Sequence, residues 1–252
     1  LGARTFDVPY QDTWVRDFGP LTVSGNGFRL LDFRFDGWGK KHPYELDDQV
    51  TRRLHALGAF TCPLASIDWI LEGGSIDTDG QGTLLTTPCL ERRHPHLSRT
   101  AIEARLRTHL GAERVLWVEG WIPGDDTDGH IDTLARFCSP DTLAYIQAPH
   151  LRPMEEALRS FTDPRGHPYR LVPLPLPDIR DRQGRPLPAS YANFLILNGA
   201  VIAPTYRHPL DAVAMERFRE AFPGYDIVPI DAFPFIHQYG SIHCLTMTTP
   251  CA

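Results

Sequence analysis

The chain has 252 residues, enough for one large domain or two small ones, and its 42% hydrophobic and 22% charged content is that of an ordinary globular chain. A net charge of −6 and a pI near 6.0 argue against nucleic acid and anionic membrane surfaces as partners. No apolar run approaches a membrane span and no signal peptide opens the chain, while five widely spaced cysteines form neither a disulfide framework nor a CxxC metal site; a reducing, cytoplasmic setting is therefore expected.

In chain order, Pro20–Val23 and Phe28–Phe35 read as strands around the turn Ser24-Gly25-Asn26-Gly27. A helix is expected over Asp47–Leu57, closed by Gly58, with a returning strand over Ala59–Leu64. The second unit places strands at Gly74–Asp77 and Thr83–Thr86, a helix capped by Ser98 and stopped by Gly111, and a strand at Arg114–Glu119. The third has strands at Ile131–Cys138 and Thr142–Ala148, a helix at Pro153–Phe161 and a strand at Tyr169–Leu174, and the Pro-rich stretch Pro173–Pro188, inside this unit's return, reads as a surface loop. In the fourth, Asn193–Leu197 and Ala200–Pro204 flank Asn198-Gly199, Leu210–Phe222 is helical and Asp226–Ile230 returns. Ile242, Cys244, Thr246 and Thr248 alternate, as on a strand that opens a fifth unit.

The pattern is thus ββαβ, four times, plus one orphan strand, with a period of roughly 50–65 residues. Repeats that cannot bury their apolar faces alone and close around an axis make a propeller-like α/β fold in a single domain, 1–252.

Polar residues open the units where apolar ones would be expected: Asp17, Glu72, His130 with Asp132, and Cys244. If first strands converge on an axis, these residues face one another, and His130 and Asp132 share a strand face. Cysteine with histidine is a nucleophile with a general acid–base, and a carboxylate on the far ring nitrogen would orient the imidazole. The remaining carboxylates suit a cationic ligand, best a planar guanidinium that they can grip through two parallel hydrogen bonds. Asp125, Asp126 and Asp128 resemble a calcium loop, but with Gly129 as its turn glycine the first and last ligand positions fall on Gly124 and Ala135. A zinc site of His130, Asp132 and Cys244 is disfavoured by the hard, carboxylate-rich surroundings, so no metal is expected. Cys62, Cys89, Cys138 and Cys251 read as structural, and His94, His96 and His237 as core or surface.

Five stretches carry a family resemblance: Asp12-Thr13-Trp14-Val15-Arg16-Asp17-Phe18-Gly19-Pro20, Leu71-Glu72-Gly73-Gly74-Ser75, Asp126-Thr127-Asp128-Gly129-His130-Ile131-Asp132, Ser190-Tyr191-Ala192-Asn193-Phe194 and Ile242-His243-Cys244. In this order and spacing the chain resembles the agmatine deiminase family, which also holds the bacterial-type peptidylarginine deiminases, within the guanidine-modifying pentein superfamily. The resemblance implies a five-fold α/β propeller of ββαβ modules, here four full modules and the opening strand of a fifth. It implies that Cys244 attacks the guanidinium carbon, His130 protonates the departing ammonia and then activates water, and Glu72 orients His130. Asp17 and Asp132 would hold the guanidinium, while Trp14 and Asp126 match positions lining the substrate's stem and amine. No cofactor is implied, and the expected partner is a small cationic guanidine; a homo-oligomer stays open. Members carry a further module's worth of residues before the Trp14 motif, so an N-terminal module that would complete the unit of Cys244 is expected to be missing. Thr246-Met247-Thr248-Thr249 stands where agmatine deiminases carry Thr-Gln-Gln after the cysteine. Agmatine is the first expected substrate. Peptidylarginine, another guanidine, a non-catalytic guanidine-binding module and a different Cys–His hydrolase acting on amides remain alternatives.

Overall fold

A computed structural model describes residues 2–249, which group into two compact units: the described parts of Leu1–Gly73 and Cys244–Ala252 form one, and Gly74–His243 the other. Among the described residues no helix is long and apolar enough to cross a membrane.

The first unit holds one three-stranded sheet. β1 (Leu21–Gly25) and β2 (Gly27–Arg34) form an antiparallel hairpin, and β3 (Leu64–Ile70) adds to β2 in parallel, from Leu30↔Leu64 onward. The helix between them is shorter than its apolar spacing suggests. Asp47–Gln49 is a 3-10 turn and only Val50–Ala56 is α-helical. The returning strand is not Ala59–Leu64. Pro63 has no N–H to give a ladder, and its carbonyl instead accepts from Leu30 N at 2.8 Å, so pairing starts one residue later and runs into the Trp69 segment. Phe35 is the aromatic hub of this unit, with ring centroids 5.5 Å from Phe18 and 4.9 Å from Trp38.

The second unit repeats one plan three times. The sheets are β4 (Ile76–Thr78), β5 (Thr83–Thr86) and β6 (Arg114–Trp117); β7 (Ala135–Ser139), β8 (Thr142–Gln147) and β9 (Arg170–Pro175); and β10 (Leu195–Leu197), β11 (Ala200–Thr205) and β12 (Asp226–Asp231). In each, the first pair is antiparallel and the last parallel, because a helix must bridge the second and third strands. That helix is Arg99–Leu110, Arg152–Ser160 or Leu210–Ala221. Each buries residues four apart on one face: Ile102 and Leu106, Met154 and Leu158, Ala214 and Phe218. Met154, Leu158, Ala214 and Phe218 join one continuous core with strand residues such as Leu85, Leu143, Val172 and Val201.

Three expected strands differ. Ile131–Thr133 is a 3-10 turn, and β7 begins only at Ala135, so His130 and Asp132 do not share a strand face. Asn193 precedes β10 rather than lying on it. Residues 242–245 form consecutive turns, so Cys244 opens no strand. Alternation alone does not make a strand when no neighbouring strand takes up its backbone hydrogen bonds. Here His243 N donates to Asn193, and the Cys244 carbonyl accepts from Arg16 N at 3.1 Å. The Pro-rich stretch is also more than a surface loop, since Ile179 and Leu187 reach the core. Cys251 lies outside the described residues.

Candidate functional site

In the first unit, three motifs far apart in sequence meet at one peptide. Arg16 N donates to the Cys244 carbonyl at 3.1 Å, and a Cβ on Gly73 would lie 2.1 Å from the Arg16 carbonyl oxygen. Only glycine allows that approach. Arg16 also reaches forward, its Nη1 donating to Met247 Sδ at 3.4 Å. The neighbours of these three positions are Asp17, Glu72 and Cys244 itself. Asp17 and Glu72 are 4% and 1% exposed, and Cys244 8%. Trp14 is buried in the same turn, whose Asp17 N–H donates to the Trp14 carbonyl at 3.0 Å. Asp17 Oδ2 accepts from Trp38 Nε1 at 2.9 Å. Buried carboxylates are costly unless charge-assisted bonds hold them, so two of them beside a buried cysteine around one peptide mark a constrained site rather than a solvated surface.

In the second unit, the loop Asp125–Gly129 sets His130. Asp125 Oδ1 accepts from Thr127 N at 3.0 Å and Thr127 Oγ1 at 2.6 Å, and its Oδ2 accepts from Gly129 N at 2.7 Å. Thr127 Oγ1 in turn accepts from His130 N at 3.1 Å. Gly129, with φ +86°, passes so close to Gly120 that a Cβ would lie 2.7 Å from its carbonyl oxygen. Asp128 pairs with Arg93, Nη1 to Oδ2 at 2.6 Å. The acidic run that mimics a calcium loop is therefore largely a brace for the histidine. Asp126, in its middle, is half-buried.

His130 and Asp132 are fully buried, and the 3-10 turn fixes both. The Asp132 carboxylate engages His243, Nδ1 to Oδ2 at 2.7 Å. His243 N donates to Asn193 Oδ1 at 3.0 Å, and Asn193 Nδ2 donates to the Asp132 carbonyl at 3.4 Å. Asn193 and His243 were visible only as motif letters and received no role from the sequence. The signal that could have found His243 is a histidine beside the candidate nucleophile in a chain with a surplus of carboxylates. None of the four described cysteines forms a disulfide, and burial pushes the Cys138 thiol up to about 12. His94 is buried, while His96 and His237 are exposed.

The modular sheets have a counterpart in a solved dimethylarginine dimethylaminohydrolase, which at 12% identity and TM-score 0.55 covers 92% of this chain and 74% of its own. That likeness is one of fold alone, an α/β fold of modular sheets. The model of the Porphyromonas-type peptidyl-arginine deiminase family matches residues 2–250. The agmatine deiminase of Stutzerimonas stutzeri is 34% identical over 284 residues, covering 98% of this chain and 77% of the relative. A solved structure from Porphyromonas gingivalis has a TM-score of 0.92 at 45% identity, covering 97% and 77% of the two chains. A cysteine-to-serine variant of the C. jejuni agmatine deiminase, solved with substrate bound, has a TM-score of 0.87 at 39% identity, covering 95% and 74%. The chain belongs to the Porphyromonas-type peptidyl-arginine deiminase family and is a guanidine-modifying hydrolase.

Proposed function

We propose that the chain hydrolyses the guanidinium group of agmatine to a ureido group and ammonia, giving N-carbamoylputrescine through a covalent amidino-cysteine. The Cys244 thiolate adds to the guanidinium carbon, and the C–N bond breaks as His130 gives a proton to the departing ammonia. His130 then takes a proton from water, which adds to the amidino carbon. Collapse of that adduct releases the ureido product and returns the thiolate. Glu72 orients His130, Asp17 and Asp132 hold the cation, and Trp14 and Asp126 line its stem and amine. The observation that carries this reading is the burial of Asp17, Glu72 and Asp132, each under 5% exposed, in a member of a guanidine-modifying family. Buried carboxylates favour a permanent cation such as guanidinium as their partner.

The reading takes the chain as one deiminase domain whose ββαβ modules belong to a five-module propeller. It takes a reducing cytoplasm as the setting. Ammonia release is to be measured from agmatine, free arginine and an arginyl peptide. Turnover of agmatine with the highest kcat/KM supports the proposal. Preference for the peptide would move the substrate to peptidylarginine, the activity in the family's own description. No turnover of any guanidine would remove the proposal. In a rapid acid quench the parent protein should carry an amidino adduct on Cys244, and its absence throughout a single turnover that releases ammonia would remove the covalent route.

A further inference from the structure

A buried tryptophan adopts a backbone conformation that bulky residues rarely take, and it does so beside Asp17. Four consecutive residues have positive φ: Gly37 at 68°, Trp38 at 57°, Gly39 at 80° and Lys40 at 66°. Glycine visits that region freely, whereas an aromatic residue there is an outlier. The turn is braced on both sides. Asp36 Oδ1 accepts from Gly39 N at 2.8 Å, and a Cβ on Gly37 would lie 2.3 Å from the His42 carbonyl oxygen. Trp38 is 5% exposed, edge-on to Phe35 and, at 5.6 Å, to His42. Its one polar atom, Nε1, donates to Asp17 Oδ2 at 2.9 Å. Filling this space does not by itself require a tryptophan, or a positive φ. Strain that a fold maintains points to a constraint on function.

We propose that Trp38 is a positioning residue that fixes the plane of the Asp17 carboxylate for a guanidinium ligand; this rests on the reading of Asp17 as a guanidinium holder. A carboxylate grips guanidinium through two parallel bonds only when its plane is set, and free rotation about its last bond loses that geometry. A donor on one oxygen stops the rotation. The indole N–H is uncharged, so it holds the carboxylate without cancelling the charge the cation needs. An arginine or lysine in its place would neutralise that charge.

The test measures agmatine and arginyl-peptide binding by calorimetry on the full chain carrying Cys244→Ser, so that no turnover intervenes. Trp38→Phe keeps a ring and removes the N–H. It should weaken binding about tenfold, or about 1.4 kcal/mol. In an Asp17→Asn background the same change should alter affinity less than twofold, because the effect passes through Asp17. Unchanged binding in Trp38→Phe, or equal losses in both backgrounds, overturns the proposal. A ligand-free reading guards against a variant that does not fold. The Trp38 indole N–H resonance should move upfield in Asp17→Asn by more than those of Trp117 and Trp121, and a resonance that stays put overturns the hold. A parent protein that binds neither guanidine overturns the functional reading, and the role of Trp38 with it, whatever the indole resonance does.

Discussion

Asp132 is the residue whose setting the structure changes most. Its carboxylate is buried and bonded to His243, so a neutral amide there loses both a charge-assisted bond within the protein and the charge proposed to face the substrate. Asp132→Asn should therefore raise the Kd for agmatine tenfold or more, on the roughly 1.5–3 kcal/mol such bonds contribute. Calorimetry in the Cys244→Ser protein checks this, and an unchanged Kd would detach Asp132 from the guanidinium. Cys138 gives the opposite case. Its thiol sits near 12 because burial disfavours the thiolate. The thiolate is the reactive form, so a neutral alkylating reagent at about pH 8 should leave Cys138 unmodified in the native protein and label it in urea. Peptide mass spectrometry reads the difference.

At the scale of elements, the helix Arg99–Leu110 is closed at both ends by single residues. Ser98 Oγ accepts from Ala101 N at 3.2 Å, and Gly111 takes the left-handed conformation at φ 70°. Ser98→Ala should cost about 1 kcal/mol of stability, measured by urea unfolding, because it leaves a first-turn N–H to water alone. The Asp163 turn predicts a pH effect. The His167 backbone N–H, first among several partners, holds the Asp163 carboxyl below the usual carboxylate range. A depressed folded pKa stabilises above the unfolded value, near 3.8, and that stabilisation is lost as pH falls through the folded one. Asp163→Asn should thus flatten the acid limb of the stability curve between about pH 5 and pH 2 while changing its slope little at neutral pH. An acid limb as steep as in the parent would mean the turn is not held by charge.

For the whole molecule, ligand linkage offers a test independent of catalysis. A ligand that binds the folded state alone stabilises it by about 2.7 kcal/mol at a hundred times its Kd. In a chain of this length that shifts Tm by roughly 5–10 °C. Agmatine should produce such a shift in the Cys244→Ser protein and putrescine, which lacks the guanidinium, should not. Equal shifts with both would show recognition of the amine instead.

The sequence by itself determined the repeat. Each ββαβ unit carries its own alternation, cap and turn glycines, and these are local: Ser98, Gly111 and Gly199 act within a few residues of where they stand. It also determined which residue types open the units, and so the candidate nucleophile, histidine and carboxylates. What it left open are relations between distant segments. Asp132 and His243 stand 111 residues apart, and Trp38 reaches Asp17 across 21. No periodicity encodes which donor a buried carboxylate will face, since that depends on how the chain closes. The strand expected at Cys244 failed for the same reason. Alternation states which faces a strand would have, but only a neighbouring strand supplies the hydrogen bonds that make it one, and here Arg16 and Asn193 supply them to turns instead.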